Sequence, residues 1–192
     1  VYNQILVQPV HRGINDIGTW KSALRAADMG LRSKLYDLYE DILMDGTVTD
    51  AIGKRIEAIT DCDINFTVNG KEVPRITELI DTVEFENQLK EIMWSLFWGI
   101  SVDEYSFVNG FDFNSIPRKH IRPKEKLILR RQYDTDGISY SDDGMIIQWG
   151  EDDDLGLLLK VAPYVIYKRG GFGDWAQFVE LFGMPQRIGK YN

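Results

Sequence analysis

The sequence has few of the residues that build metal centres, disulfide frameworks or nucleophilic active sites. It contains a single cysteine, Cys62, so no disulfide forms within the chain. The two histidines, His11 and His120, lie far apart and share no metal-binding spacing with Cys62, which argues against a zinc site. No Gly-x-Ser-x-Gly motif marks a serine nucleophile. The sequence therefore predicts no catalytic residue, no bound metal and no cofactor.

Basic residues are in the minority, and long apolar runs are missing. The 192 residues include 22 Lys and Arg against 30 Asp and Glu, which gives a formal net charge of −8. Such a charge opposes a broad attraction to nucleic acid. No apolar segment approaches the roughly 20 residues that span a bilayer, so no membrane partner is expected. The hydrophobic fraction of 44% is enough for one sizeable core.

Helical periodicity dominates residues 1–115. Thr47 or Thr49 is expected to cap one of these helices, and Gly99 occupies the left-handed position that ends another. Between the helices, residues 64–68 alternate apolar and polar side chains and run into Asn69-Gly70, which predicts a hairpin. The stripes that predict the helices are Trp20, Leu24 and Ala27; Leu35, Leu38 and Ile42; Val48, Ile52, Ile56 and Ile59; Ile76, Leu79, Ile80 and Val83; and Phe85, Leu89, Ile92, Met93, Leu96 and Phe97.

From residue 116 onward the pattern changes to short strands separated by Asp-Gly turns. A strand is also expected just before this region, through Val102, Tyr105 and Phe107. A final short helix is predicted to begin at Asp174, as its N-cap, and to bury the stripe of Trp175, Phe178 and Phe182. The candidate strands after residue 116 are 127–129, 138–140, 145–149, 155–160 and 164–167.

These elements define an α+β fold class. N-terminal helices are followed by an antiparallel β meander and a short C-terminal helix. We expect a single domain over residues 1–192. Within it, residues 1–115 form a mainly helical lobe, residues 116–170 the meander, and residues 171–192 a junction helix with the start of a further connection.

A glycine-rich segment near the C-terminus offers a nucleotide-binding alternative. Gly171 to Ala176 fits Gly-x-Gly-x-x-Ala, follows a candidate strand and precedes a helix, which is the arrangement that cradles a pyrophosphate. Asp174, however, places a carboxylate where the phosphate would lie. No second strand with an acidic end follows about 20 residues later, as this motif requires. A nucleotide-binding enzyme domain therefore stays as the weaker alternative.

A run of basic residues between Arg118 and Arg131 is a candidate contact surface. Eight acids and no base follow it between Asp134 and Asp154. Opposite charges on neighbouring strands would stabilise the sheet, and the same dipolar surface would also dock a partner or a neighbouring subunit. The acidic run 151–154 lacks the pattern of a calcium loop and is interpreted as a solvated turn. The basic residues of the run are Arg118, Lys119, Arg122, Lys124, Lys126, Arg130 and Arg131.

The C-terminal segment resembles the Mu-like phage portal proteins. It matches the family's pattern Trp-x-x-Phe-x-Glu-x-x-Gly-x-Pro-x-Arg-x-Gly-x-Tyr at eight positions with fixed spacing. Upstream, "LYEDILMDGTVTDAIGKRIEAITDCDINF" and "LFWGISVDEYSF" are similar to further family segments, so the resemblance extends from about Tyr36 onward. The eight matching residues are Trp175, Phe178, Glu180, Gly183, Pro185, Arg187, Gly189 and Tyr191.

The resemblance implies a structural role. A portal subunit belongs to a ring of identical subunits at one capsid vertex, through which double-stranded DNA passes without sequence-specific binding. Its partners would be terminase, capsid proteins and head-tail connector proteins. The host cytoplasm is the expected place of assembly and the virion the final location.

This chain would be the N-terminal wing portion of such a subunit, with stem helices after it. By itself it is expected to be a monomer or a weak dimer, because the stem would supply much of the interface. The resemblance leaves one further alternative, a phage adaptor module that shares the wing fold.

Overall fold

A computed structural model describes residues 1–7, 16–108 and 110–183. About half of these residues lie in six α-helices, and two three-residue 3-10 helices, Tyr2–Gln4 and Arg118–His120, accompany them. No described helix is both long enough and apolar enough to cross a membrane. The α-helices are α1 Ile17–Asp28, α2 Ser33–Ile42, α3 Gly46–Thr60, α4 Pro74–Ile80, α5 Val83–Trp98 and α6 Leu158–Phe182.

Within the described ranges, eight short strands form three small antiparallel sheets. The predicted hairpin at Asn69-Gly70 is confirmed: β1 pairs with β2, and both turn residues have positive φ. The second sheet has the order β4-β3-β8 and the third the order β5-β6-β7. The strands are β1 Thr67–Val68, β2 Lys71–Glu72, β3 Ser101–Ser106, β4 Asp112–Ser115, β5 Ile121–Arg122, β6 Leu127–Leu129, β7 Gly137–Ser139 and β8 Ile146–Trp149.

The core is centred on α2, which lies between α1, α6 and the end of α5. Five of the ten residues of α2 are buried, because apolar and aromatic side chains recur on more than one face of this helix. Trp98, at the end of α5, meets Tyr36 and Tyr39 edge-to-face, with ring centroids 5.7 Å apart in each pair. The buried residues of α2 are Leu35, Tyr36, Leu38, Tyr39 and Ile42.

The predicted α+β class is confirmed, and most N-terminal elements form where the periodicity places them. Gly99 ends α5 with a φ of 88°, as predicted. The prediction for the N-cap of α3 was wrong. The side chain of Asp45, rather than that of Thr47 or Thr49, accepts hydrogen bonds from the backbone N–H groups of Thr47 and Val48. The helix begins at Gly46, before Val48, which is the first residue of the apolar stripe, so the stripe did not indicate where the helix starts.

The largest correction concerns residues 155–182. The expected strands 155–160 and 164–167 do not form; residues 155–157 are an irregular segment, and α6 begins at Leu158. The helix is continuous through Asp174, so Asp174 is not an N-cap, and the β structure ends at Trp149 rather than near residue 170. Each expected strand was short, and short apolar runs do not distinguish a strand from a buried helical segment.

Three glycines fix the direction in which α6 leaves the core. Gly99, Gly150 and Gly156 all have positive φ and lie where the segment before α6 crosses the end of α5. A Cβ atom on Gly156 would overlap backbone atoms of Phe97 and Gly99. Beside this crossing, the Leu157 N–H donates to the Leu96 carbonyl at 3.1 Å. We call this crossing the glycine joint.

Candidate assembly surfaces

Helix α6 has a half that packs on the core and a half that projects from it. Its proximal half buries Leu158, Ala162 and Val165 against the core. At the surface, Lys168 pairs with Asp45 at 2.8 Å. The neighbouring Arg169 pairs with Asp41 at 2.7 Å. Beyond Arg169 every residue through Gly183 is exposed. The projecting half, residues 170–182, extends for about 20 Å at 1.5 Å per residue.

A second face of α6 carries an exposed aromatic stripe. At 100° per residue, its members fall within one arc of about 140°, which adjoins the arc of Leu158, Ala162 and Val165 that packs on the core. Trp175 is 65% exposed and Phe182 69% exposed, and the Phe178 and Phe182 rings lie 4.9 Å apart. We call this surface the α6 stripe: Tyr164, Tyr167, Phe172, Trp175, Phe178, Val179 and Phe182.

The α6 stripe overturns two expectations from the sequence. Trp175, Phe178 and Phe182 do not anchor a junction helix to the core, because all three are more than half exposed. Gly171 to Ala176 does not form a phosphate-binding loop, because these residues are internal to α6 and their N–H groups lie within the helix. The nucleotide-binding alternative that rested on this loop was wrong.

Half of the matching C-terminal motif lies within the described residues. Trp175 and Phe178 belong to the α6 stripe, and Glu180 is exposed on another face of the same helix. Gly183 follows the last helical residue with φ −77° and ψ −11°, so its backbone is right-handed, unlike that of Gly99 at the end of α5. Pro185, Arg187, Gly189 and Tyr191 lie outside the described residues.

The first two members of the basic run are tied to helices of the same chain. Arg118 pairs with Glu91 of α5, donates to the Ile100 carbonyl at 3.0 Å and lies over the Trp98 ring. Lys119 bridges two acids of α2, which it contacts at 2.6 and 2.9 Å. Burial lowers the pKa of Lys119, but hydrogen bonds to these two carboxylates outweigh it and raise the pKa above its usual value. The two acids are Asp37 and Glu40.

The next members of the basic run contact residues of the acidic stretch 134–154 that follows it. Arg122 donates to the Asp134 carbonyl at 2.8 Å and pairs with Glu125. Lys124 and Lys126 pair with the acidic run after β8, at 2.7 and 2.6 Å. Their partners are Asp153 and Asp152 respectively, so this run is not only a solvated turn.

Asp152 is the centre of a polar network beside the glycine joint. Its carboxylate accepts from Gln148 at 2.7 Å and from Lys126, and these two bonds hold its pKa below the usual value. Its backbone carbonyl accepts from the buried Arg32 at 2.5 Å. Most of the basic run therefore stabilises the fold, and among the described residues only Arg130 and Arg131 of the run are exposed without an ion pair.

A second apolar surface lies on the sheet β4-β3-β8. Cross-strand partners share a face, so Tyr105, Phe113 and Met145 lie side by side, and Phe107 stacks near Phe111 with ring centroids 6.0 Å apart. α5 covers the other end of this face, where Gln88 donates to the buried Asp103 at 2.9 Å. We call the open part the sheet surface: Tyr105, Phe107, Phe111, Phe113, Met145 and Ile147.

The sheet surface was not predicted from the sequence, although the sequence contains a signal for it. The alternation Tyr105-x-Phe107 and Phe111-x-Phe113 places aromatic residues on one face of a hairpin. Phe107 is 60% exposed and Met145 is 50% exposed. A strand pattern alone does not tell which face the core covers, so these residues were assigned to the strand without a surface role.

A small pocket lies beside His120, which is fully buried. Its volume is about 250 Å³, and Tyr36, Trp98 and Gln132 also line it. The His120 Nδ1 lies 3.0 Å from the Leu129 carbonyl oxygen, while Nε2 has no partner among the described residues. No cluster of His, Cys, Asp and Glu side chains in the described ranges is arranged to hold a metal ion.

Comparison with known protein families gives one match. The model of the family "Portal protein of Mu bacteriophage" matches residues 36–192. The chain belongs to the Mu bacteriophage portal protein family. The resemblance that the motif predicted is thereby confirmed, and the match includes every residue of the motif. No individual curated protein matches the chain.

The family match begins inside α2, so α1 precedes the matched part of this portal-family chain. Both surfaces described above, the sheet surface and the α6 stripe, lie within the matched residues. The internal ties of Arg118 and Lys119 to α5 and α2 lie within it as well. The residues of both surfaces thus belong to the part of the chain that the family model matches.

Proposed function

We propose that this chain is part of a structural subunit of a portal ring, through which double-stranded DNA enters and leaves a phage capsid. The observation that carries the proposal is the family match over residues 36–192. In this role the subunit sits at one capsid vertex of the virion, assembled in the host cytoplasm, and meets terminase, capsid and head-tail connector proteins. It acts as a conduit and a docking platform and catalyses no reaction.

The two apolar surfaces support an assembly role. Monomeric proteins seldom expose a contiguous apolar patch beyond about 300–600 Å². Six aromatic side chains of the α6 stripe, each about two-thirds exposed, present roughly 800 Å² if an aromatic side chain has ~200 Å² of surface. Such a surface is favoured where a neighbouring subunit covers it.

The charge of the chain fits a conduit better than a DNA-binding module. Much of the basic run is paired with acids of the same chain, through Arg118, Lys119, Lys124 and Lys126. The net charge is −8. Phosphates that pass such a surface release few counterions, so DNA is not held tightly and slides.

Deletion of the coding region from the phage or prophage tests the proposal. Heads that form without the protein should contain no DNA, because no channel admits it, and expression of the protein in trans should restore DNA-filled heads. Electron microscopy and nuclease-protected DNA measure both. An adaptor that shares the fold gives a different result: DNA-filled heads without tails. That outcome, or normal infectious particles, would contradict the portal role.

A further inference from the structure

We propose that the α6 stripe of one copy of this chain docks onto the sheet surface of a second copy, so that successive copies associate head to tail. The inference rests on the proposed function, because it assigns the contact between neighbouring subunits of the ring. Both surfaces belong to described residues, and the other described residues leave the α6 stripe exposed and the sheet surface at least partly exposed.

The symmetry of a ring requires two different contact surfaces on each subunit. A ring of identical subunits closes only through a heterologous contact, in which one patch of each subunit meets a different patch of the next. A stripe that paired with another stripe would instead give an isologous dimer, with no free stripe left to bind a third copy. The chain offers two separate aromatic surfaces, one on α6 and one on β3 and β4.

The chemistry of the two surfaces matches. The α6 stripe places Trp175, Phe178 and Phe182 at the three- and four-residue spacing with which a helix fills holes in a partner. The sheet surface presents a row of rings whose centroids are about 6 Å apart, as in the pairs Phe107–Phe111 and Phe111–Phe113. Aromatic rings pack favourably against one another at centroid distances of this size.

Charge near the two surfaces is also complementary. Lys160 is exposed one turn before Tyr164, on the same side of α6 as the stripe, and makes no ion pair with a described residue. Asp142 and Asp143 are exposed in the turn just before Met145 of the sheet surface, and neither forms an ion pair among the described residues. Opposite charges at the rim set the orientation of an apolar contact rather than its strength.

The area sets the expected strength. Three of the six residues of the sheet surface are only partly exposed, so we expect one contact to bury less than the roughly 1,200 Å² of a standard interface, which is typical of weak interfaces. An isolated pair therefore associates weakly, in agreement with the monomer or weak dimer expected from the sequence. In a closed ring each copy makes two such contacts, and dissociation of one copy breaks both.

Sedimentation analysis of two double variants of this chain tests the proposal. The stripe variant carries Trp175→Glu and Phe178→Glu, and the sheet variant carries Phe107→Glu and Met145→Glu. The unchanged chain should gain mass with concentration up to about 0.5 mM, whereas each variant alone should associate at least about tenfold more weakly. An equimolar mixture should form a heterodimer and nothing larger, because only one intact contact is possible between the two variants.

Two single variants serve as controls for the double variants. Leu181→Glu changes an exposed residue of α6 outside the stripe, and Ile138→Glu an exposed residue of β7; both should associate like the unchanged chain. Thermal melts verify folding, and serine at the same four positions replaces any glutamate variant that fails to fold. The inference is overturned if the unchanged chain stays monomeric, if the sheet variant dimerises alone, or if the controls weaken as much. The deletion experiment is independent of these results, so DNA-free heads would uphold the portal role even then.

Discussion

Among single residues, His120 has the most unusual environment. Its ring is fully buried under β6, donates from Nδ1 to the Leu129 carbonyl, and leaves Nε2 without a described partner. Burial lowers the pKa of His120 below its usual value of 6.5, against smaller opposite effects of the Leu129 hydrogen bond and of Asp134. The neutral ring is therefore the form that the folded chain accommodates.

This environment predicts a loss of stability below neutral pH. The unfolded chain takes up a proton at His120 near pH 6.5, whereas the folded chain does so only at lower pH. The free energy of unfolding should therefore fall as the pH drops from about 7 through 6.5 and below. Urea unfolding at several pH values measures the slope. His120→Gln should flatten the slope between pH 7 and 5.5, whatever its effect on absolute stability.

His11→Gln provides the control for this prediction, because His11 is the other histidine of the chain. If the slope persists in His120→Gln and disappears in His11→Gln, the assignment to His120 is wrong.

At the scale of elements, the glycine joint determines where α6 goes. Gly99, Gly150 and Gly156 each bring backbone within contact of another segment, and each has a φ that L-residues with a side chain rarely adopt. The Tyr39 hydroxyl adds a bond at 2.6 Å to the Leu155 carbonyl. The end of α5, the segment before α6 and the core helix α2 are thus joined at one place.

Gly156→Ala should destabilise the chain by at least about 3 kcal/mol, because a left-handed conformation is strained and backbone atoms must also move apart. Gly53→Ala is the matched control. Gly53 lies inside α3 with open space at its Cβ position, so alanine should stabilise the helix by roughly 0.5–1 kcal/mol. Chemical denaturation of both variants gives the two values. Equal stabilities would show that the joint tolerates a side chain.

The sequence obscured α6 for a physical reason. Its proximal half buries Leu158, Ala162 and Val165, whereas its distal half carries the apolar residues on another face, so no single stripe runs through the helix. Pro163 and the glycines between residues 170 and 173 also lower the helical propensity. Packing of the proximal half on the core and the ties of its last turn to Asp41 and Asp45 outweigh these local preferences.

Replacement of two glycines tests whether the distal half is helical. Gly170 and Gly173 have no described atom within 4 Å of a built Cβ, so Gly170→Ala with Gly173→Ala should meet no obstacle. The pair should stabilise this segment by up to about 2 kcal/mol and increase the helical signal in circular dichroism. A loop that needs glycine backbone freedom would respond in the opposite way, with reduced helicity and a lower melting temperature.

For the whole molecule, the sequence predicted the class, the family and most N-terminal elements. The helical stripes through Leu35, Ile52 and Phe97 are each buried on one side, so periodicity and structure agree there. The surfaces were harder to predict. The charges from Arg118 to Lys126 allowed two interpretations, stabilisation within the fold or a docking surface. The structure shows ion pairs within the fold, but their partners on α2, α5 and the segment after β8 were not predictable, because they are distant in sequence. The Trp175 stripe looked like core, since periodicity identifies an apolar face but not what covers it.

The α6 stripe and the sheet surface give the chain two different apolar surfaces, as the heterologous contacts of a ring require. The family match places the chain among the portal proteins of Mu bacteriophage, for which we propose a role in DNA passage. The central claim is therefore that this chain belongs to a ring found at one position of the virion.

Immunogold electron microscopy of intact and tail-free phage heads tests this claim most directly. Antibodies raised against the 192-residue chain should label one vertex per head in tail-free particles, where the neck is open. The same label should be weak or absent on particles from the deletion strain. A label spread over all vertices or faces of the capsid, or confined to the distal end of the tail, would contradict the account.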